Sequence, residues 1–594
     1  MPYSTLDIET YTHNNKLNVF CIVYKYRNKI NYFKNDNSCV FLLFLKSLNE
    51  TNYCFFVHNL TFDVLVLLDS INTNCYDIKW FSKNYNIYQI SFKYFNVFIE
   101  IKCSLRFLPL PLDSLSKLIL KKTKLVFPYK LLAQEGFLEI ALWWPKLEYF
   151  NSIDEYKQFC EFTNNNPVDI KKYLLDCCIN DVNLLDEIIQ EFLFILRDKR
   201  PFLISNSYSI SSYALKYYFK KYNLIQKKLN KNIENLIRDS YYGGRCEVFG
   251  NQMPGEFVYH FDFSGMYSQC MKDQVPTKNF IYSNLKTVGS PGFYNITFFS
   301  NMYIPILPIR SNLLLFPNGE YTGTYWYEEV MLFIEKGGVI LNINYVIVCD
   351  IDFALLDFST EFDKLRNINE CGKLIGKLVN NSFYGRLGIK SLEYRDIISK
   401  EPLSNAVSYI KLENIYINKV KTWSDSISNV AVAAAITSKA RIKLYNAFLD
   451  VLCNGGRLLY CDTDSIFAAF TNSDILNKVL KSGLLFDTTK SDTIVKAAWF
   501  ANTKSYSIVL NTGVEITKIK GISEKNINFN MFMDLFLSGK AHKFISQPVL
   551  HKKNYIINYS TMIKTVKLNN YLKRVFVNNY YDTIPVKVHA YNGS

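Results

Sequence analysis

Arg457-Leu-Leu-Tyr-Cys-Asp462-Thr463-Asp464-Ser465-Ile-Phe-Ala-Ala-Phe470 sets two aspartates, one residue apart, between two apolar runs. The runs read as strands and the polar centre as the tip of a hairpin. Asp and Ser are ordinary turn residues, so a solvated turn is the simpler account. Two carboxylates in a half-buried turn also repel each other with little screening, which suits a place where a cation is expected. The rest of the chain decides between these accounts.

A second candidate lies about 200 residues upstream, at Phe257-Val-Tyr-His-Phe-Asp262-Phe-Ser264-Gly265-Met266-Tyr267. An apolar strand again ends on an aspartate, and a helix begins just after it. Asp262 brought beside Asp464 and Asp462 would make a cluster tolerable only with divalent cations, which neutralise it. Two such ions about 4 Å apart form a site for in-line phosphoryl transfer. Between the two stretches lies Cys371-Gly-Lys373-Leu-Ile-Gly-Lys377-Leu-Val-Asn-Asn381-Ser382-Phe-Tyr384-Gly385. A helix beginning near Glu361 would put Arg366, Lys373, Lys377 and Tyr384 on one face, suited to a triphosphate with a base stacked beyond it. For the lysines alone, a solvated basic face is the plainer reading.

Composition allows this chemistry. The 594 residues suggest roughly three to five domains or subdomains. Hydrophobic content of 49% with only 20% charged residues excludes a disordered chain. A net charge of +15 suits a polyanionic partner. The 14 cysteines and six histidines are scattered without metal-ligand spacing, which disfavours structural zinc and a disulfide framework and fits a reducing compartment. Met1-Pro-Tyr-Ser-Thr-Leu-Asp7 lacks the features of a secretory signal, an arginine-rich transit peptide is missing, and no apolar run approaches a membrane span.

Along the chain, the first 190 or so residues alternate strands and helices, with strands expected at Ser4 to Glu9 and Tyr53 to His58 and a helix from Ile170 to Leu196. The segments 271–358 and 391–423 read as insertions. A further helix is expected from Ser428 to Val451, with Asp425 as its cap and Asn454-Gly455-Gly456 ending it.

The three central stretches resemble motifs A, B and C of family B DNA polymerases, in that family's order. Asp262-Phe-Ser-Gly-Met-Tyr267 is similar to DxxSLYP, Lys377-x3-Asn381-Ser382-x-Tyr384-Gly385 to motif B, and Tyr460-Cys-Asp462-Thr463-Asp464-Ser465 to YxDTDS. Asp7-Ile-Glu9-Thr10, His58-Asn59-Leu-Thr-Phe62-Asp63 and Asp181 resemble the three motifs of the family's 3′–5′ exonuclease. The usual Tyr of the third motif is replaced by Cys177, with Tyr173 one helical turn back. Tyr241-x-Gly243-Gly244, Ser114-Leu115-x-x-Leu118 and Lys504-Ser-Tyr506 resemble further motifs of the protein-primed branch found in phages and linear plasmids, including mitochondrial ones. Ser114-Leu115 reads equally as an ordinary helix start, and His58 as a satisfied core histidine.

The resemblance implies a multidomain α/β fold, a ribonuclease H-like exonuclease domain followed by a right-hand palm, fingers and thumb with two insertions. The expected bounds are 1–195 for the exonuclease, 196–270 for a linker and first part of the palm, and 271–358 for an insertion contacting a terminal priming protein. Fingers follow at 359–390, a processivity and strand-displacement insertion at 391–423, palm at 424–525 and thumb at 526–594. From Lys540 to Ser594 nine Lys or Arg accompany one acid, Asp582, as suits a phosphate-gripping thumb. The implied activity is DNA-directed DNA synthesis with 3′–5′ proofreading. Asp262 and Asp464 would bind metal with Asp462 auxiliary, and Asp7, Glu9, Asp63 and Asp181 would bind metal in the exonuclease. Tyr267, Lys373, Lys377, Asn381, Tyr384 and Arg366 would bind nucleotide. Asn59, Phe62, Ser114, Leu115, Tyr241, Gly243, Gly244, Thr463, Lys504 and Tyr506 would contact DNA. Each centre would take two Mg²⁺, with Mn²⁺ able to substitute. The implied partners are template-primer, dNTPs and a priming protein, for a monomer without a membrane anchor, in a mitochondrion or a phage host's cytoplasm. The competing readings are a DNA-primed polymerase with weak or absent exonuclease, a nuclease alone, and a decayed DNA-binding remnant. The last predicts loss of a metal aspartate, and none is missing.

Overall fold

The computed structural model of the chain describes residues 3–13, 16–34, 40–134, 136–390, 392–412, 415–423, 427–471, 494–522, 527–545, 549–553, 556–560 and 563–588. Short runs rich in β-branched and aromatic residues form a first seven-stranded sheet. Its strands are β1 (Tyr3–His13), β2 (Lys16–Tyr26), β3 (Lys29–Lys34), β4 (Asn52–Val57), β5 (Tyr76–Lys83), β6 (Asn86–Tyr94) and β7 (Val97–Cys103), in the order β3-β2-β1-β4-β7-β6-β5. β4 runs parallel to β1 and β7, and its Tyr53 to Val57 stretch is buried throughout, as a central covered strand requires. Helix α1 (Thr61–Asn74) follows β4. The 26-residue α2 (Ile170–Ile195) is capped by Asp169, whose carboxylate accepts from the Lys171 and Lys172 amides at 3.1 Å. α2 packs Leu174, Cys177, Cys178 and Val182 into one cluster with Phe20, Cys21 and Val23 of β2.

β8 (Cys246–Val248) and β9 (Phe257–Asp262) open a second sheet, and the short α3 (Met266–Met271) follows β9. The chain then leaves this sheet for another built around β10 (Gly292–Ser300), β11 (Asn318–Trp326) and β12 (Val339–Val348). The segment 271–358, expected as an insertion, does not complete this sheet alone. Lys587–Val588 pairs parallel with Asn318 and Gly319 and covers the β11 edge.

The single helix expected from Glu361 is two helices, α4 (Leu356–Leu365) and α5 (Glu370–Leu387). Asn369 breaks it by capping α5, accepting from the Gly372 amide at 2.9 Å. Arg366 therefore ends α4, off the face that Lys373, Lys377 and Tyr384 share on α5. Next, β13 (Leu392–Ser399), β14 (Ala406–Leu412) and β15 (Ile415–Trp423) form a small antiparallel sheet in the order β13-β15-β14. It docks on the edge of the first sheet. The Trp80 indole donates to the Asp396 carbonyl and the Ser82 hydroxyl to its carboxylate, both at 3.0 Å, while Ile417 joins a core containing Ile87 and Ile90.

Helix α6 (Val430–Cys453) buries Ala431 to Ala435 completely. Its cap is Asn429, accepting from the Val432 amide, whereas the expected cap Asp425 lies outside the described residues. After Gly455, whose φ of +74° favours glycine, come β16 (Arg457–Asp462), β17 (Ser465–Phe470), β18 (Ile494–Asn502), β19 (Ser505–Leu510) and β20 (Glu515–Lys518). They complete the second sheet in the order β20-β19-β18-β9-β17-β16-β8. One hydrophobic cluster runs from Phe56 of β4, Phe107 and Phe192 through Met266, Tyr325, Phe358 and Phe383 to α6 and links the two large sheets, each of which also has a core of its own. Two of the nine C-terminal cations expected on phosphate are buried instead. Lys573 donates to the Cys246 carbonyl at 3.0 Å and Arg574 to the Thr583 hydroxyl at 2.8 Å, anchoring this region to β8.

Two candidate carboxylate centres

In the second sheet, Ser465 pairs with Asp262 on one side and Asp462 on the other, so strand register alone sets both aspartates in one row. Thr463 turns the hairpin with φ of +64°, and the loop is pinned by backbone bonds. The Phe263 amide donates to the Asp464 carbonyl (2.8 Å), the Thr463 amide to the Arg245 carbonyl (2.8 Å) and the Asp464 amide to the Asp462 carbonyl (2.7 Å). Gly244 lies directly against this turn: a Cβ there would stand 2.7 Å from the Thr463 methyl. Arg245 is itself fixed by Glu247 at 2.7 Å in a buried pair. Asp262, Asp462, Asp464, Thr463, Lys504 and Tyr506 line a cleft of about 360 Å³. Burial, then the charges of Asp262 and Asp462, raise the Asp464 pKa, and Lys377 opposes them. Lys504 reaches to 3.5 Å from Asp462.

Beside this row the Tyr267 and Tyr384 rings stack at 4.5 Å and 18°. Burial pushes Tyr267 up to about 12, so both groups stay protonated phenols at neutral pH. The Tyr241 ring occupies the space a side chain at Gly388 would need. Arg441 of α6, not anticipated from sequence, donates to the Tyr242 and Gly243 carbonyls at 3.0 and 3.2 Å while forking Glu329 at 2.7 Å twice. An arginine inside the Ala-rich, wholly buried part of a helix was the available signal. Lys373 is exposed with Glu370 3.7 Å away, and Asn381 is also exposed on α5.

In the first sheet, Asp7 and Glu9 are two apart on β1 and so face the same way, with a bulge after Glu9 adjusting its aim. Asp181 of α2 meets them, with carboxylate oxygens of all three within 4.8 Å of one another. Asp63, in the first turn of α1, lines the same cleft of about 560 Å³ with Asn59 and Phe62. Burial, then the Asp181 charge, lifts Asp7 to about 7, and burial also raises Glu9 and Asp181. Lys124 sits 2.5 Å from Asp181; burial pulls its pKa down, but Asp181, Asp7 and Glu9 together raise it. Asp181 Oδ1 is buried without a hydrogen-bond partner among the described residues. Hard oxygen donors crowded this closely, one of them orphaned, fit divalent cations such as Mg²⁺.

The phenol nearest these acids comes from neither candidate position. Cys177 is fully buried, and Tyr173 donates to the Val126 carbonyl at 3.0 Å. Tyr129 instead reaches in, its hydroxyl donating to Glu9 at 3.3 Å. The segment Lys124-Leu-Val-Phe-Pro-Tyr129 carries no periodic signal, so both of its functional groups escaped the sequence reading. His58 uses both ring nitrogens, against Ser104 and Leu110, and burial lowers it to about 4, as a satisfied core histidine. Leu115, expected on DNA, is fully buried in the main core, whereas Ser114 is exposed. A leucine one turn into a helix packs inward because only the neighbouring face meets solvent.

A family model described as "DNA polymerase type B, organellar and viral" matches residues 45–452. A probable DNA polymerase of Podospora anserina is 28% identical over 82% of this chain and 45% of its own length, and one of Neurospora intermedia is 25% identical over 70% and 47%. The chain thus spans less than half of either. The DNA-directed DNA polymerase of Enterobacteria phage PRD1 is 24% identical over 40% of this chain and 44% of its own. Phi29 DNA polymerase complexed with primer-template DNA and incoming nucleotide superposes over 96% of this chain and all of that one, with a TM-score of 0.67 and 16% identity. The fold is therefore the one expected: a ribonuclease H-like exonuclease-type domain followed by a right-hand polymerase domain. No helix among the described residues is long and apolar enough to cross a membrane.

Proposed function

Because the chain belongs to the organellar and viral type B DNA polymerases, we propose that it copies a linear DNA element from a protein primer and proofreads it 3′–5′. The observation that carries this reading is the row Asp262–Ser465–Asp462, which joins motifs about 200 residues apart into one centre. Mg²⁺, when bound, supplies charge neutralisation and an activated attacking oxygen for in-line displacement. Asp262 and Asp464 would hold it in the polymerase centre, and Asp7, Glu9, Asp63 and Asp181 in the exonuclease. Lys377, Lys373 and Arg366 bind the triphosphate, Tyr267 on Tyr384 forms a floor that excludes a 2′-hydroxyl, and Asn381 lines the nascent pair. Thr463, Lys504 and Tyr506 hold the primer end, while Tyr241, Gly243 and Gly244 guide the strand between centres. Asn59, Phe62 and Ser114 hold the frayed strand. Tyr129, bonded to Glu9, orients the attacked phosphodiester and its water in place of the Tyr missing at position 177, and Lys124 opposes the burial that raises the Asp181 pKa.

On this reading residues 1–195 are the exonuclease domain, 196–270 and 424–525 the palm, 359–390 the fingers and 526–594 the thumb. Residues 271–358 receive the terminal protein, and 391–423 confer processivity and strand displacement. The enzyme works as a monomer on a mitochondrial plasmid or a phage genome. Primer extension by the purified chain with Mg²⁺ and dNTPs, with degradation of single-stranded DNA when dNTPs are withheld, is the test. Absence of extension overturns the polymerase reading. Failure of dNTPs to label a cognate terminal protein overturns protein priming alone.

A further inference from the structure

A buried polar junction ties both fingers helices to the palm behind the nucleotide site. Its hub is Asp363, near the end of α4. One carboxylate oxygen accepts from the Ser268 hydroxyl at 2.6 Å and pairs with Lys272 at 2.8 Å; Ser268 lies in α3, immediately after Tyr267, and Lys272 follows α3. The other accepts from the Asn380 amide of α5 at 3.1 Å and lies 3.5 Å from the Arg366 guanidinium. Asn380 also donates to Ser268 (3.2 Å) and to the Ser359 carbonyl (3.2 Å), and Ser359 donates to the Ser268 carbonyl at 3.0 Å. Ser268, Ser359 and Asn380 are all but inaccessible.

Arg366 lies against two glycines. A Cβ at Gly265 would fall 2.9 Å from its Nη1, and one at Gly376 would fall 2.8 Å from its Cγ. Two glycines, one preceding α3 and one within α5, thus form the slot in which the arginine lies, and Asp363 supplies the opposite charge at its end. Arginine's planar fork makes such an orientation specific.

Resting on the polymerase reading above, we infer that Asp363 is a positioning residue for nucleotide binding. Through Ser268 it holds the helix carrying Tyr267, through Asn380 the helix carrying Lys377, and directly it aims Arg366. It touches no substrate itself. Ordinary structural glue would hold the same bonds, but its loss would lower stability without selecting one kinetic constant. Outer-shell partners that orient a binding group typically contribute 10–100-fold. Asp363→Asn keeps the shape and removes the charge. It should raise KM for dNTP about 10-fold, with kcat changed less than about threefold. Arg366→Ala should raise KM similarly, and the double variant should exceed Arg366→Ala by clearly less than the full Asp363→Asn effect, because part of that effect runs through Arg366. Ser268→Ala, which removes the tether to α3, should give a smaller rise in KM. Equilibrium dGTP binding to the primer-template complex should weaken in parallel. An unchanged KM in Asp363→Asn, or effects of Asp363→Asn and Arg366→Ala that simply add, overturns the inference while leaving the polymerase reading intact. A parent chain that neither extends a primer nor binds dGTP overturns both.

Discussion

The two carboxylate centres solve the same electrostatic problem in opposite ways. At the Asp7–Glu9–Asp181 centre the acids arise from a central strand and a packed helix, are largely buried, and carry a built-in cation in Lys124. At the Asp262–Asp464 centre they arise at a strand end and a hairpin tip and are only partly buried, and the cations near them, Lys504 at 3.5 Å from Asp462 and Lys377 of α5, come from other elements. A buried cluster cannot wait for solvent to screen it, so neutralisation must come from within the fold. A cluster at a hairpin tip can wait for whatever arrives. That suits one centre to a strand threaded inward and the other to a charged nucleotide entering from outside.

The sharpest way to break the comparison is Asp464→Ala. It should reduce incorporation about 10³-fold or more, since a bound ion contributes several kcal/mol and each 1.4 kcal/mol is tenfold. Degradation of single-stranded DNA should stay within about twofold of the parent. Loss of both activities would show that the centres are not independent. Gly244→Ala comes next. The added methyl would push Thr463 off its turn, and a displacement approaching 1 Å costs on the order of 10²-fold in rate. Steady-state incorporation checks this, with Gly243→Ala, where no other described residue lies within 4 Å of the Cβ position, as the milder companion.

Tyr129→Phe should slow single-strand degradation roughly 10-fold and leave incorporation unchanged, as loss of one outer hydrogen bond does. Tyr173→Phe should leave degradation near the parent rate; the reverse ranking would return the role to Tyr173. The smallest effect concerns stability. Asp7 titrates near 7 when folded against an ordinary value of 3.8, so folding favours its protonated form. Its contribution is fully present below pH about 4 and lost as pH rises through 7. Without divalent ions the melting temperature should therefore fall over that range by a few degrees more than in Asp7→Asn, and Mg²⁺ should remove the difference. Equal pH slopes in the two proteins would mean that Lys124 already neutralises the cluster fully.

Short-range chemistry was legible in the chain. The stretches that hold the aspartates of both centres, Lys377, Tyr267, Tyr384 and the glycines at 243 and 244 could be singled out, some by residue type and spacing and the rest by resemblance to family motifs. The two large helices and the apolar strands announced themselves by periodicity, because burial on one face is imprinted every 3.6 or two residues. Which side chains meet across elements was not legible. Asn369 split a helix that periodicity ran straight through, and Arg366 left the shared face with it. Leu115 turned into the core, and Lys573 and Arg574 turned inward onto the Cys246 carbonyl and Thr583. Tyr129 reached Glu9 while Tyr173, with the better sequence claim, was committed to Val126. Neighbours of this kind depend on strand register, a bulge after Glu9 and the packing of segments far apart in the chain, and no local pattern records those distances.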